Sequence, residues 1–186
     1  RRFKSFTRHQ YEERNFLKAK NSGEIPNCRV ILVGAMGVGK STVGKLLAEI
    51  LDWEYIDNDF EISKLASLSI KQLSQLDVPT LHALESDYLR DILNRPTPLI
   101  AGAAASIADN LDLINELGNE FTVYLHSPLE NLMKNAGTTG VGRQGLVENP
   151  SEVIRERFER RDPRYRSVAW RAKCFSKSRY VFLRVR

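Results

Sequence analysis

The chain has 186 residues, 42% of them hydrophobic and 27% charged, with a net charge of +5; that is apolar matter for one domain-sized core and charge ordinary for a soluble protein. No apolar run approaches the roughly 18 residues of a membrane span. Two distant cysteines, Cys28 and Cys174, without a CxxC or a His/Cys cluster, argue against a disulfide framework or a structural zinc site. The charge is uneven, net +5 over residues 1–29, −8 over 30–150 and +8 over 151–186. Aromatic residues that would stack bases are sparse, so the basic ends read as solvated tails plus phosphate-binding arginines, and nucleic acid is not an expected partner. The opening RRFKSFTRHQ carries no apolar segment of the kind a secretory signal needs, and a cytoplasmic setting is the expectation.

Residues 1–27 show no clean period beyond a polar helix over Phe6 to Lys20, and are taken as an N-terminal extension to a domain over 28–186. Arg29 to Val33 reads as a short buried strand. A glycine-rich loop follows, then a helix from Lys40 to Leu51 with Val43, Leu46, Leu47 and Ile50 at helical spacing. A second strand spans 53–56 and runs into Asp57-Asn58-Asp59. Helices are expected at 60–67, 70–75 and 80–93, the last with Leu81, Leu84, Tyr88 or Leu89, and Ile92 on one face. A third strand covers 98–101, leading through Gly102-Ala103-Ala104-Ala105-Ser106 to a helix over 107–117. A fourth strand covers 121–125, a helix begins at 129, residues 137–145 form a glycine-rich loop, and Pro150 to Arg160 is helical with Ser151 as N-cap. Apolar strands alternating with helices predict an α/β three-layer sandwich, a central parallel sheet flanked by helices, with the glycine-rich loop as a flexible lid.

Gly34-Ala35-Met36-Gly37-Val38-Gly39-Lys40-Ser41 fits GxxxxGK[ST] between a strand and a helix, the setting in which that pattern cradles phosphates. The glycines Gly34, Gly37 and Gly39 allow backbone N–H groups, with those of Val38 and of Thr42 further on, to point at a nucleotide, and the helix start adds partial positive charge. Lys40 reaches the β- and γ-phosphates and the Ser41 hydroxyl ligates Mg²⁺; ATP and Mg²⁺ are the expected cofactors. Asp57 and Asp59 stand at the carboxyl end of the second strand, the edge where open α/β sheets bind ligands. A carboxylate there holds Mg²⁺ or receives a substrate hydroxyl, or else caps the following helix.

These residues resemble the shikimate kinase family of small P-loop kinases. The stretch ILVGAMGVGKSTVGKLLAEILDWEYIDNDFEI carries the phosphate loop and the family's strand-end acid pair, RRDPRYRSVA resembles its R-x-P-x-Y-x-x-x-A, and LIAGAAAS stands where the family has three glycines. The resemblance implies transfer of the γ-phosphoryl group of ATP to a hydroxyl of a small carboxylated ring alcohol by a protein expected to act as a monomer. Carried over position by position, Asp57 sits on the Mg²⁺ side, Asp59 binds the acceptor hydroxyls and acts as base, Arg161 pairs with the acceptor carboxylate, Arg143 closes the lid over the phosphates, and Lys134 flanks adenine. Lys40, Asp59 and Arg143 are thus the catalytic candidates.

Three departures matter, at His82, at the alanines and in the lid, and the C-terminus departs as well. Where the family has F-R-x-x-E, this chain has Leu81-His82-Ala83-Leu84-Glu85, and an imidazole cannot form the bidentate fork of a guanidinium. Ala103-Ala104-Ala105 replace the glycines, so Ala104 and Ala105 are expected to narrow the pocket. The lid reads Gly142-Arg143-Gln144-Gly145 where Arg-Pro is usual, and no closing helix follows Ala169, although Tyr180 to Leu183 has the composition of a strand. Shikimate is the first expected acceptor. A different small polyol or hydroxy acid, and a nucleotide-binding regulator without transfer activity, stay open.

Overall fold

The computed structural model describes residues 27–135, 141 and 149–169. Four parallel strands, β1 (Arg29–Val33), β2 (Tyr55–Ile56), β3 (Leu99–Gly102) and β4 (Phe121–Tyr124), form one sheet in the order β2-β3-β1-β4. Ile31 pairs with Ala101 on one side and Thr122 on the other, so β1 lies in the middle. Every residue of β3 is buried, as a strand covered on both faces must be.

Alternation along β1 divides the core. Val30 and Leu32 join Ile100 and the inner side of helix α1 (Lys40–Leu51), while Ile31 and Val33 face the larger core on the opposite side. That core is filled from α2 (Asn58–Leu65), α3 (Ile70–Leu73), α4 (Val78–Asn94) and α5 (Leu111–Leu117). Helix α6 (Leu129–Asn135) and helix α7 (Pro150–Val168) complete the described fold. The expected parallel three-layer sandwich is what forms.

Several expectations need correction. Helix α1 does not bury Leu46 and Ile50, which are 52% and 75% exposed; its inner stripe is Val43, Gly44, Leu47, Ala48 and Leu51. The reason is Gly44, where a Cβ would stand 2.1 Å from a ring carbon of Tyr55. The helix docks on β2 through its glycine, which turns the apolar stripe by about one position. Strand β2 is correspondingly shorter than 53–56. The helix expected over 107–117 is a 3₁₀ turn (Ala105–Asp109) and a separate helix α5, because Asn110 takes extended geometry and its side chain accepts from the Asp112 and Leu113 amides as N-cap.

Helix α7 runs past Arg160 and through Pro163 to Val168. A proline interrupts a helix by removing one donor and crowding the preceding turn. Here the segment beyond it is anchored from outside: Tyr165 Oη donates to the Ala105 carbonyl at 2.6 Å, Arg164 donates to the Ala108 carbonyl at 2.7 Å, and Tyr124 Oη donates to Asp162 at 2.6 Å. Tyr124 and Tyr165 also stack at 5.1 Å. These contacts fix α7 against the turn after β3, at the carboxyl edge of the sheet. Apart from Val141, the glycine-rich loop, including Arg143, lies outside the described residues, as do the Phe6–Lys20 and Tyr180–Leu183 segments.

Candidate active site

The loop after β1 takes the shape its glycines permit. Gly34, Gly37 and Gly39 have φ of 147°, 76° and 97°, a region L side chains rarely adopt. A Cβ on Gly34 would also stand 2.5 Å from the Leu125 carbonyl oxygen. Gly39 occupies the N-cap position of α1 without a side-chain cap, so the first amides of that helix are presented to a ligand and not to the chain's own side chains. Lys40 lies back along the loop, its Nζ donating to the Gly34 and Ala35 carbonyls at 3.0 and 3.2 Å. Burial pulls its pKa down to about 8, against the opposing pull of Asp59, Asp57 and Glu85. The Val38 side chain is buried against Leu125 and Leu132, seating the loop on the sheet.

Of the acid pair at the end of β2, Asp57 caps the following helix and both acids line the cleft beside the phosphate loop. Asp57 is the N-cap of α2, accepting from the Asp59 amide through Oδ1 at 3.2 Å. Through Oδ2 it accepts from Ser41 Oγ at 2.5 Å and from Tyr55 Oη at 3.1 Å. A hydroxyl and a carboxylate oxygen so placed, beside a phosphate cradle, are the hard donor pair Mg²⁺ takes together with phosphate oxygens and water. The described residues hold no cluster of three or more His, Cys, Asp or Glu suited to an all-protein metal cage, so Ser41 and Asp57 are the residues that fit the ion. Asp59 carries an accepted bond from Asn58 Nδ2 at 2.7 Å and lines the same cleft as Lys40 and Ser41.

That cleft encloses about 540 Å³. It brings together Gly37, Gly39, Lys40, Ser41 and Thr42 from the phosphate loop, Asp57 and Asp59, and, from the acceptor side, His82, Ala104, Ala105 and Arg161. Lys134 is exposed near the end of α6 and is not part of its lining. The alanines have ordinary backbone: Ala104 is extended at φ −61°, and among the described non-glycine residues only Asp52 and Ser67 have positive φ. Their methyl groups, not strain, are what the substitution for glycine brings. His82 faces the cleft; burial first, then the Arg161 charge, hold its pKa below the usual imidazole value, which favours the neutral ring.

Five residues escaped the sequence reading: Asp109, Arg157, Arg160, Glu85 and Ser106. Arg161 is 7% exposed and already holds a carboxylate, donating to Asp109 Oδ2 at 3.0 Å from Nε and 2.6 Å from Nη2. Asp109 also receives Arg160 at 3.1 and 3.2 Å. Arg157, Arg160 and Arg161 all line the cleft from α7; their spacing of three and four residues puts them on one helical face and was a signal available in the sequence. Glu85 is 5% exposed and shares the buried stripe of α4 with Leu81, Tyr88, Leu89 and Ile92; Ser106 Oγ donates to its Oε2. Burial pushes its pKa up to about 7, with Asp59 adding to the rise and Ser106, Arg161 and Lys40 opposing it.

A glycine-formed phosphate cradle, a lysine, a serine–aspartate pair and a second aspartate opening on one cleft at the carboxyl edge of a parallel sheet define a P-loop phosphotransferase of small molecules. Comparison with known proteins supplies the particular family. The shikimate kinase family model matches residues 36–181. A shikimate kinase of Acinetobacter baumannii strain AYE is 32% identical over 148 residues, 78% of this chain and 80% of that protein. A bifunctional shikimate kinase/3-dehydroquinate synthase of Thermotoga maritima is 33% identical over 140 residues, 74% of this chain but 27% of that longer protein. Among solved structures, shikimate kinase from Acinetobacter baumannii in complex with shikimate superposes with a TM-score of 0.67 at 30% identity, covering 76% of this chain and 80% of that one. The chain belongs to the shikimate kinase family, a family of ATP-dependent small-molecule kinases.

Proposed function

We propose that this chain transfers the γ-phosphoryl group of ATP to a hydroxyl of a small carboxylated ring alcohol, with shikimate the first acceptor to test. The observation that carries the reading is the meeting, in one cleft, of Lys40, Ser41, Asp57 and Asp59 on one side with the arginine face of α7 on the other. The acceptor oxygen bonds to the γ-phosphorus as the bond from that phosphorus to the ADP bridging oxygen breaks; ADP leaves with the electron pair, and the hydroxyl proton passes to the Asp59 carboxylate. Such transfer depends on positioning and charge neutralisation. Lys40 gives up its loop carbonyls for the β- and γ-phosphates, and the α1 amides cradle them. Ser41 and Asp57 would hold Mg²⁺, which would neutralise phosphate charge. Arg143 is assigned the closing of the lid, and Arg161 with its α7 neighbours receives the acceptor carboxylate.

The wall formed by α4 favours a second reading, a kinase of the same fold with a different hydroxylated acceptor, because that wall presents a neutral imidazole where a guanidinium would grip a carboxylate. A coupled ADP-release assay over shikimate, gluconate and neutral polyols separates the two. Turnover on shikimate that rises in His82→Arg supports the first reading with a weakened carboxylate grip; turnover only on another acceptor supports the second. Absence of acceptor-dependent ADP release on every compound, with ATP still bound, refutes both.

A further inference from the structure

Among the described residues, the arginines that line the cleft all come from one face of α7: Arg157, Arg160 and Arg161. They do not stand in equal positions. Arg161 turns its Nε–Nη2 edge to Asp109, at 3.0 and 2.6 Å. Arg160 turns the same edge to that carboxylate, at 3.1 and 3.2 Å, and donates from Nη1 to Glu156 at 2.7 Å. Such two-donor contacts are how a guanidinium grips a carboxylate. On Arg160 and Arg161, a carboxylate of the chain itself therefore holds the place that a carboxylate from solution would take.

Arg157 is placed differently. It stands one turn before Arg161 on the same helical face and is half-buried. It lines both the cleft and an adjoining apolar crevice walled by Met36, Leu132, Ile154 and Phe158. A crevice of that kind takes the aliphatic stem of an arginine and leaves its head at the polar rim. Across the cleft on α4 stands His82, close enough to feel the Arg157 charge. Positive charge prevails around Arg157: burial, then Arg161 and Arg160, pull its pKa down against Glu156 and Asp109. An anion brought beside it would relieve that repulsion. We propose that Arg157 receives the anionic end of the acceptor, on the α7 side of the cleft facing His82, and that Asp109, by holding Arg161 and Arg160, is an internal counter-carboxylate that sets how tightly an acidic acceptor binds. This rests on the phosphoryl-transfer reading and deepens it: of the α7 arginines assigned to the acceptor carboxylate, Arg157 has the leading part.

The test compares wild type, Arg157→Gln, Arg157→Lys, Asp109→Asn and the double variant Arg157→Gln/Asp109→Asn by ADP release, each well below its melting temperature. The acceptors are whichever of shikimate or gluconate the wild type phosphorylates faster, and the primary amide of that compound, which keeps the hydroxyls and lacks the charge. Arg157→Gln is expected to raise the KM for the acid about ten- to a hundredfold, the range of a hydrogen bond to a charged group, with the KM values for the amide and for ATP held. Arg157→Lys, which keeps the charge without the fork, restores part of the loss. Asp109→Asn lowers the KM for the acid, because Arg161 is released to grip it, and the double variant recovers part of what Arg157→Gln loses. A merely structural role for Arg157 moves acid and amide alike. An Arg157→Gln variant that shifts both KM values by the same factor, or neither, overturns the assignment of Arg157, and an acid KM that is unchanged or raised in Asp109→Asn overturns that of Asp109. A wild type that phosphorylates only neutral polyols overturns both. All three results leave phosphoryl transfer standing. A wild type without acceptor-dependent ADP release on acid, amide or neutral polyol overturns the transfer reading and the inference with it.

Discussion

Replacing Asp109 by asparagine removes the charge that holds three arginines of α7 against the turn after β3. Arg161 is the consequential partner, since its side chain is 9% exposed while that of Asp109 is 24% exposed. Breaking a fully buried pair from one side costs about 3–5 kcal/mol. The partial exposure of Asp109 reduces that, and Arg160 and Arg164, 43% and 33% exposed, add little of their own because solvent screens them. The expected loss is about 2 kcal/mol, which in a domain of this size lowers the melting temperature by roughly 4–8 °C. The pH dependence gives a second check. Burial raises the pKa of Asp109, but hydrogen bonds and charge from Arg161 and then Arg160 outweigh it, and the carboxyl ends below its ordinary value. A depressed carboxylate contributes stability that is present above its unfolded pKa, about 4, and lost as pH falls through the lower folded value. Thermal unfolding of wild type and Asp109→Asn across pH 3–8 is therefore expected to show a full gap at pH 7 that closes in acid. Equal melting temperatures at pH 7, or a gap that widens below pH 4, would refute the assignment of Asp109 as the anchor of α7.

Lys40→Ala is expected to lower ADP release by a factor on the order of 10² to 10³ while the circular dichroism spectrum stays that of wild type; near-normal turnover would remove the phosphate loop from the mechanism. Gly44→Ala drives a methyl into the Tyr55 ring and is expected to cost about 1–3 kcal/mol in urea unfolding, with part of the loss restored by Tyr55→Leu; an additive double variant would show that the two do not share the contact. Glu85 makes stability fall with rising pH. Its folded pKa is raised from 4.5 to about 7 by burial, so the folded chain holds the proton that the unfolded chain has released between those values. Glu85→Gln should flatten the stability curve from pH 5 to 7.5 and leave the protein no less stable at pH 8; an unchanged slope would contradict a buried, titrating Glu85.

The fold was legible because its signals are contiguous. Four apolar runs separated by helical patterns specify a parallel sheet without knowledge of which residues meet. The phosphate cradle was legible for a similar reason: the spacing of Gly34, Gly37 and Gly39 dictates backbone angles, and those angles hold in the structure. Where the reading slipped, one contact at a distance decided between patterns of equal quality. On α1, Leu46 and Ile50 fit a helical stripe as well as Leu47 and Leu51 do, and the Tyr55 ring lying on Gly44 selects the second. At 107–117, periodicity ran unbroken across Asn110, whose side chain nevertheless prefers to cap.

The acceptor half was least legible because it is assembled from pairs rather than from a motif. On α4, Leu84 packs partly buried against the core while Glu85 takes a fully buried place, where Ser106, 21 residues away, donates to it. Arg161 could be read as a carboxylate receptor, but not as one already engaged by Asp109, 52 residues earlier. One structural consequence follows from that engagement. On the proposed reading, an acceptor carboxylate arriving at α7 would meet arginines shared with Asp109, so its binding would depend on how that shared charge is divided.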